Sequence, residues 1–568
     1  MKRPSTYGSM WKPLMVLTGI WAAIIVIVNP VGEFMINDDW AFVRCLESLM
    51  REGRLETTGH GPLHAPGGPA LITHLLWGLA FVKAAGFSLT VLRLSVLTLG
   101  VLASLVVFLL LRRCGASTGL SMLGTLSLVF NPLFLSQCFS FMTDITFTSF
   151  ALVSVLFFHI GVEKSNTGII IIGLAFALAA TLTRQLGLAL PIGFVAACFL
   201  HPKGEELGRL KMTLLAAGIA VVPWIGYEIF LQQAGSTPIV EHSMLRNAVK
   251  NACSMGPLRY ADFLLRHLLV STLGYVCFLI SPVLALYYGT SWSSGSFRCF
   301  AICLTAVLSA CEVSLLLGIV DFPVIMNGNV IYNLGIGPIV LRDTYIMGLE
   351  RSAALPKALY AVIVYWTIIA AAVLGTLAIR GFRGPSGQAR TPDGSATGFT
   401  AVNCALTALV YMAVIVPLPP YDRYLILPCA LLIVWLVAGT PSPKAFVPSL
   451  GTAVSIAAPL ICLAVFSVFG TRDFLEMKRS LSNAHDYVLN VLKVNPCRVD
   501  GGFEFNGYHC YRKGMPHQTG LSWWWVEKEE YLITLGTLPG YRVVRTFPFP
   551  RLLGPDGAVH LLEPAKDE

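Results

Sequence analysis

The chain has 568 residues, of which 55% are hydrophobic and 12% are charged, and its mean hydropathy is +0.70. Soluble domains carry about 25% charged residues, so this composition and the long apolar runs exclude a soluble globular protein and indicate a polytopic membrane protein. The net charge of +9 is not accompanied by a basic-aromatic motif, and much of it lies in short loops where it can set topology, so nucleic-acid binding is not indicated.

Apolar runs along the chain predict about thirteen transmembrane helices. The first, residues 13–31, follows Lys2, Arg3 and Lys12 and lacks a small-residue cleavage site, so we interpret it as a retained helix rather than a signal peptide. Segment 67–86 is apolar but short and is predicted to be an interfacial helix in the first outer loop. The other predicted spans are 90–111, 118–137, 145–162, 168–182, 186–200, 212–231, 267–289, 299–319, 358–379, 400–416, 424–439 and 446–469.

Basic residues predict the orientation of these helices. Because cytoplasmic loops carry an excess of Lys and Arg, the basic start of the chain indicates a cytoplasmic N-terminus, and alternation of the helices places the C-terminal region outside. We therefore predict an all-α polytopic transmembrane domain, residues 1–469, followed by a small extracytoplasmic α/β domain, residues 470–568. The expected location is a cell membrane, with a bacterial inner membrane favoured.

The 14 cysteines separate into two groups. Most lie singly in apolar runs, where a thiol behaves as a small hydrophobic side chain, and the absence of a CxxC pair argues against a structural zinc site. Cys497 and Cys510 lie in the polar C-terminal region. A disulfide between them is predicted if that region lies outside the cytoplasm.

Acidic residues at two helix ends are unusual in so apolar a chain. The pair Asp38 and Asp39 follows the first predicted helix directly, and Asp144 stands at the outer start of the predicted helix 145–162. Carboxylates are costly to hold near a low-dielectric boundary, which indicates a functional task. The alternative interpretation is that these residues cap helices or place a charge in a first helical turn.

Two arginines fall on the same predicted face as the acidic residues. Arg184 lies at the outer turn after residue 182, and Arg423 lies in the outer loop before the predicted helix 424–439, whereas the other short outer loops lack basic residues. Arg184 could instead extend to the lipid headgroups, and Arg423 could pair locally with Asp422. Carboxylates and guanidiniums that converge on one membrane face favour a site for an anionic lipid headgroup and a proton transfer.

Several motifs occur in an order that resembles a known enzyme family. They are the acidic pair followed by LMREG, the LRLSVLTLG helix after the interfacial segment, the Thr-Asp before helix 145–162, and Arg423-Tyr424-Leu425 followed by Pro428. This order resembles the C-type integral-membrane glycosyltransferases and is similar to glycosyltransferase family 39, the protein O-mannosyltransferase and aminoarabinose transferase type. The resemblance covers most of residues 10–440. The acidic pair is Asp-Asp where the family has Asp-Glu, and HAPGGPAL stands in place of the commoner Pro-Pro-Leu segment.

The resemblance implies inverting transfer of a sugar from a polyprenyl-phosphate donor to a hydroxyl acceptor, which is a glycan, lipid or protein, on the outer face of the membrane. Asp38 matches the family's base position, although only the resemblance separates it from Asp39. The implied catalytic residues are Asp38, Asp39 and Asp144, and the implied donor phosphate-binding residues are Arg423, Arg184 and Tyr424. No cofactor is required because a phosphate leaving group carries less charge than a diphosphate. A divalent metal is compatible with His60, His64 and the carboxylates, whose spacing matches no metal motif.

Two other functions fit parts of the pattern. A transporter or flippase for a lipid-linked sugar would also need intramembrane charge, but it should show repeated halves, and no internal repeat is evident. A non-catalytic assembly subunit of an envelope-polysaccharide complex is the third interpretation. In the C-terminal region, Trp523, Trp524 and Trp525 either stack on sugar rings or form part of a core and of a belt at the membrane interface. Asp500, Glu504 and Asn506 are candidates for contact with the acceptor glycan.

Overall fold

A computed structural model of the chain provides the structure. It describes residues 10–53, 71–233, 250, 253–266, 272–287, 300–309, 329–332, 335–348, 359–382, 394–417, 421–439, 450–512 and 524–565. His60, His64 and Trp523 lie outside the described residues.

Helices dominate the described part of the chain. In chain order they are α1 (Trp11–Val28), α2 (Asp39–Glu52), α3 (Ile72–Ala85), α4 (Leu89–Arg113), α5 (Thr118–Val129), α6 (Pro132–Cys138), α7 (Thr143–Glu163), α8 (Thr167–Thr181), α9 (Ala189–Leu200), α10 (Lys203–Leu207), α11 (Arg209–Ala216), α12 (Val222–Gln233), α13 (Pro257–Arg266), α14 (Tyr275–Leu279), α15 (Ser281–Leu284), α16 (Phe300–Ser309), α17 (Leu359–Phe382), α18 (Ala396–Ile415), α19 (Ile426–Gly439), α20 (Leu450–Asp486) and α21 (Phe503–Cys510). A π-helical turn, Ala217–Val221, joins α11 to α12.

The described residues contain eight helices long and apolar enough to cross a membrane, or up to nine if a bent pair counts as one span. The protein is therefore a largely helical multi-pass membrane protein. The predicted total of about thirteen is not confirmed. The predicted spans 168–182 and 186–200 are shorter apolar helices, and the predicted spans 267–289 and 299–319 are described only in part.

Local sequence explains where several of these helices begin and bend. The Ser88 hydroxyl accepts the backbone N–H of Val91 and caps α4, whose last turn carries Arg112 and Arg113. The predicted helix 118–137 is broken into α5 and α6, which are bent by 66°. Asn131 at the break is extended and caps α6, whose first residue is Pro132, because proline is tolerated at a helix start and not in its interior.

The helices pack into one bundle. Helix α7 packs on α4 and α8, and α18 packs on α9 and α19. Phe158 and Phe194 stack with their ring centroids 4.3 Å apart, and Phe399 joins them at 5.7 Å from Phe194. Asp144 lies in the first turn of α7, Arg184 follows α8, and Arg423 precedes α19, so these charges lie at the ends of helices in this bundle.

The C-terminal region adds a small sheet to this bundle. Four strands, β3 (Val499–Asp500), β4 (Tyr531–Thr534), β5 (Tyr541–Phe549) and β6 (Gly557–Pro564), are ordered β3-β4-β6-β5. The pair β3 and β4 is parallel, and the other two pairs are antiparallel. A two-stranded hairpin, β1 (Ile331–Tyr332) and β2 (Gly335–Ile336), lies earlier in the chain.

Helix α20 runs continuously across the predicted domain boundary at residue 470, and both β5 and β6 pack on it. The division into two domains stays a prediction. Cys497 and Cys510 form the expected disulfide.

Candidate functional site

Four charged side chains meet where several helix ends converge. Asp38 precedes α2 and Asp144 lies in the first turn of α7. Arg184 follows α8, and Arg423 lies in a 3-10 turn, Asp422–Leu425, that runs into α19. These are four of the six residues singled out in the sequence.

The charges alternate in sign along the cluster. Arg423 Nη2 donates to Asp38 Oδ2 at 2.9 Å, and Arg184 Nη2 donates to Asp144 Oδ2 at 2.9 Å. Arg423 Nε lies 4.0 Å from Asp144 Oδ2 and so links the two pairs. The four side chains balance to zero formal charge, which lowers the cost of burying them together. We refer to Asp38, Arg423, Asp144 and Arg184 as the charge cluster.

The acidic residues of the cluster do not serve as helix caps. Asp38 occupies the N-cap position of α2, but its side chain makes no capping hydrogen bond and extends to Arg423. Met142 holds the N-cap position of α7, and Asp144 turns to Arg184. Both carboxylates are thus committed to guanidinium partners rather than to helix ends.

The arginines do not make the contacts that the alternative interpretations predicted, namely lipid headgroups for Arg184 and Asp422 for Arg423. Arg184 does not extend to headgroups, because its side chain is 15% exposed and its Nε donates to Thr143 Oγ1 at 2.8 Å. Arg423 does not pair with the Asp422 side chain. Asp422 instead accepts the backbone N–H groups of Val330, Ile331 and Arg423 itself at 2.8 to 3.0 Å.

Two tyrosines border the arginines. The Tyr424 ring lies 4.9 Å from the Arg184 guanidinium carbon and 5.9 Å from that of Arg423. The Tyr421 ring lies 4.8 Å from the Arg423 guanidinium carbon and is partly open, with 43% of its surface exposed. Both rings give the cations a π face, and Tyr421 marks the side on which the cluster reaches the protein surface.

Asp39 lies outside the charge cluster. Its Oδ1 accepts the backbone N–H of Ile36 at 2.7 Å, and the residue is buried. Burial raises the pKa of Asp39 to about 7, although the Ile36 bond and the positive charge of Arg93 oppose the rise. The structure therefore separates the two neighbouring acids: Asp38 faces the arginines, and Asp39 holds the turn before α2.

One hydrogen-bond donor in the charge cluster lacks an acceptor among the described residues. Arg423 Nε is buried and makes no hydrogen bond to any described residue. A buried donor without a hydrogen bond costs about 1–3 kcal/mol. An anionic ligand that accepted a hydrogen bond from Arg423 Nε would remove this cost, so the arrangement favours binding of an anion. Burial also raises the pKa of Asp38, with Arg423 acting in the opposite direction.

Three neighbours of the cluster were not among the predicted site residues, although Thr143 belongs to the Thr-Asp motif and Asp422 was considered as a local partner of Arg423. Asn329 Oδ1 accepts from Arg423 Nη1 at 3.3 Å, Thr143 accepts from Arg184, and Asp422 anchors the strand β1 segment. Thr143 and Asp422 stand next to predicted residues in sequence, so adjacency to Asp144 and Arg423 was a usable signal. Asn329 carried none, because its loop contact spans 94 positions.

The C-terminal candidates are not at a surface. Asp500, Glu504 and Asn506 are all buried, so none is placed where an acceptor could reach it in this structure. Trp524 and Trp525 are also buried, and Trp525 packs against Trp40 with the ring centroids 5.7 Å apart. Both tryptophans therefore belong to a buried core of the protein.

The described residues contain no group of three or more His, Cys, Asp and Glu side chains that could hold a metal ion. His60 and His64 fall outside those residues. The expectation that no metal is required therefore stays a prediction.

Comparison with known proteins gives one family match. Residues 67–227 match the family described as dolichyl-phosphate-mannose-protein mannosyltransferase. The match includes Asp144 and Arg184 and confirms, over that stretch, the resemblance drawn from the sequence motifs. No curated protein matches the chain.

Two solved structures show a weaker likeness. ArnT from Cupriavidus metallidurans in the apo state is 13% identical, with 96% of this chain and 97% of that chain covered and a TM-score of 0.39. The same protein bound to undecaprenyl phosphate is 13% identical, with coverage of 86% and 82% and a TM-score of 0.35. TM-scores in this range do not establish a shared fold.

Proposed function

We propose that the protein is a membrane glycosyltransferase that moves a sugar from a polyprenyl-phosphate donor to a hydroxyl acceptor. The observation that carries the proposal is the Asp38–Arg423 pair at the centre of the charge cluster. It combines a carboxylate that can take a proton with a guanidinium that can hold a phosphate. The family match over residues 67–227, which includes the other half of the cluster, supports the same chemistry.

Asp38 is the proposed general base. Both hydrogen bonds that described residues make to its carboxylate, from Arg423 and from Asn37 Nδ2, end on Oδ2. This leaves Oδ1 to accept the proton of the acceptor hydroxyl. The acceptor oxygen forms a bond to the anomeric carbon while the bond from that carbon to the phosphate oxygen breaks, and a single displacement of this kind inverts the anomeric centre.

Arg423 is the proposed cation for the leaving phosphate. The phosphate gains negative charge as the sugar departs, and fixed donors that face growing charge stabilise a transition state. The Arg423 Nε makes no hydrogen bond among the described residues, although it lies 4.0 Å from Asp144 Oδ2, and it supplies a donor for that charge without breaking the bond to Asp38. Arg423 can therefore hold the base and the leaving group at the same time.

Arg184, Asp144 and Tyr424 complete the proposed donor site. Asp144 lies between the two guanidiniums, 2.9 Å from Arg184 and 4.0 Å from Arg423, and keeps both oriented. Tyr424 packs beside both cations. A polyprenyl chain would extend from this site into the bilayer, and the acceptor would approach on the extracytoplasmic side, which the basic residues of the loops predict.

The test is sugar transfer from a panel of synthetic polyprenyl-phosphate sugars by the purified full-length protein, with membrane lipids and peptides supplied as acceptors. Wild type should turn over at least one donor. Asp38→Asn should lower kcat by about 10²- to 10⁴-fold, the range expected for a lost general base, and still bind donor. Asp486→Asn is the matched control, because Asp486 is exposed and distant in sequence from the cluster residues.

The wild-type pH profile provides a second readout. A base must be ionised, and burial raises the pKa of Asp38 above its ordinary value of 3.8, so kcat/KM should fall at acidic pH with a midpoint above 3.8. Full activity of Asp38→Asn would refute the role of Asp38. Movement of intact donor lipid across liposomes without sugar transfer would replace the proposal with the transporter alternative.

A further inference from the structure

A buried ion pair joins helix α21 to helix α20. Lys478 Nζ donates to Glu504 Oε1 at 2.5 Å, and the two side chains are only 2% and 7% exposed. Removing two charges from water is costly, and a buried pair is poor evidence of stabilisation in itself. Stabilisation alone therefore does not explain the Lys478–Glu504 pair, and its other contacts indicate a structural role.

The same Glu504 oxygen reaches the turn that carries the proposed base. Glu504 Oε1 also accepts the backbone N–H of Asn37 at 2.9 Å, across 467 positions of sequence. Asn37 is buried and has a φ of 54°, in the left-handed region where asparagine is among the few tolerated residues. The hydrogen bond that Asn37 donates to Glu504 holds this uncommon backbone conformation.

Asn37 in turn contacts the proposed base. Its Nδ2 donates to Asp38 Oδ2 at 3.1 Å, the same oxygen that accepts from Arg423. On the other side, Asp39 accepts the N–H of Ile36 at 2.7 Å. Consecutive backbone N–H groups before Asp38 are thus each held by a buried carboxylate, one local and one from the C-terminal region.

A charged carboxylate suits this position because Glu504 Oε1 accepts two hydrogen bonds, one from Lys478 Nζ and one from the backbone N–H of Asn37. A hydrogen bond to an ionised acceptor is roughly twice as strong as a neutral one. Lys478, 2.5 Å away and buried with it, supplies the opposite charge that compensates the Glu504 carboxylate. In this arrangement Lys478 donates to Glu504, and Glu504 accepts the backbone N–H of Asn37. The Asn37 side chain in turn donates to Asp38 and orients it.

We propose that Glu504 is a positioning residue for Asp38, which it orients through the Asn37 backbone while Lys478 balances its charge. The inference rests on the proposed function in its claim about catalysis. It adds that the C-terminal region completes the site without contacting the reacting groups. Loss of the Glu504 hydrogen bond should therefore affect kcat more than donor KM.

The experiment compares two neutral replacements of the ion pair in the full-length protein. Lys478→Met with Glu504→Gln keeps an amide oxygen that can accept from Asn37, whereas Lys478→Met with Glu504→Leu removes the acceptor. Arg498→Met with Glu530→Leu is the matched control, because this pair lies in the same region and neither side chain contacts Asn37 in the described hydrogen bonds. Hydrogen exchange at the Asn37 amide and steady-state kinetics are measured for each.

The leucine variant should exchange the Asn37 amide at least about 10-fold faster, because it loses the acceptor. Its kcat should fall about 10- to 100-fold with donor KM within about threefold of wild type, since small displacements of a reacting group carry costs of this size. The glutamine variant should recover most of the kcat, and the control pair should match wild type.

Unchanged Asn37 exchange in the folded leucine variant would overturn the inference, and so would an unchanged kcat. Glu504→Asp covers the case in which the double variants do not fold. It keeps the charge beside Lys478 but withdraws the carboxylate by one methylene, and the same loss of kcat and of Asn37 protection is expected. Failure of wild type to transfer any sugar would refute the proposed function instead, while the exchange measurement would still decide whether Glu504 holds Asn37.

Discussion

Replacing Gly507 by alanine tests the packing between the C-terminal region and the helix that follows Asp38. Gly507 lies in α21, and a Cβ built on it would meet three ring atoms of Trp40 at 2.7 Å or less. Carbon atoms prefer a separation of about 3.5–4.0 Å, so the ring and the helix would have to part by about 1 Å. Trp40 is fully buried, with the rings of Phe503, Tyr511 and Trp525 each centred 5.7 Å away.

Two effects of Gly507→Ala oppose each other. Alanine is favoured over glycine inside a helix by about 1 kcal/mol. Overpacking a filled core costs about 1–3 kcal/mol, and the three surrounding rings leave Trp40 no room to yield. Subtracting the helix gain from the overpacking cost leaves a net destabilisation of up to about 2 kcal/mol, which should appear as a drop of up to a few degrees in melting temperature.

The same displacement should reach the proposed base. Trp40 lies two residues after Asp38, and a shift of about 1 Å in a reacting group can cost about 10²-fold in rate. The assay is thermal unfolding of the purified protein in detergent, followed by sugar transfer. Gly119→Ala is the control, since a Cβ there meets nothing within 4 Å and the helix should gain slightly from alanine. The Gly119→Ala control should melt at or slightly above the temperature of wild type. If Gly507→Ala did the same, the argument that Gly507 and Trp40 are tightly packed would be refuted.

Two further substitutions test the turns around the charge cluster. Asp422→Asn should lower kcat/KM by about 10-fold or more and reduce the melting temperature. Both Asp422 oxygens accept backbone N–H groups, and an amide nitrogen cannot, so the substitution costs about 1–3 kcal/mol. Unchanged kinetics would show that the position of Arg423 does not depend on the hydrogen bonds of Asp422. Asp39→Asn keeps an oxygen for Ile36 and removes a buried charge. Because the folded pKa of Asp39 is raised to about 7 from 3.8, wild type should lose stability as pH rises from about 4 to about 7, so the advantage of the variant in melting temperature should grow over that range and then level off. A pH-independent difference would contradict that pKa.

Helix positions were the most predictable part of the fold. Span 90–111 corresponds to α4, span 145–162 to α7 and span 400–416 to α18, each within a few residues. Hydropathy over such a stretch is a local property, and a bilayer-length apolar run has few other structures available to it. The break in the predicted helix 118–137 was also readable, since Asn131-Pro132 stands within it.

Other boundaries were not readable from hydropathy. Helix α20 continues from residue 450 to 486, well past the apolar segment that ended at 469. The polar half of α20 remains helical because β5, β6 and Glu504 pack on it, with Lys478 buried in that contact. Tertiary packing of this kind supplies most of a helix's stability, so a change in polarity alone did not mark its end.

Candidate site residues could be recognised one at a time but not assigned partners. Asp38, Asp144, Arg184 and Arg423 stood out because charge is rare and costly at a membrane boundary. Each also had a local explanation, as a cap, a headgroup contact or a neighbouring ion pair. Apart from the family resemblance, which favoured Asp38, nothing in the sequence distinguished Asp38 from Asp39. The structure shows that Asp38 faces Arg423 and that Asp39 faces Ile36.

Composition and apolar run length are local properties, and they were enough to predict a polytopic helical protein with rare charges at several helix ends. The contacts of Arg423 with Asp38, across 385 positions, and of Glu504 with Asn37, across 467, arise only in the folded protein. Such contacts depend on how helix ends and loops converge after the bundle has packed, and no local periodicity encodes that convergence. The charge cluster and its support from the C-terminal region therefore belong to the fold as a whole.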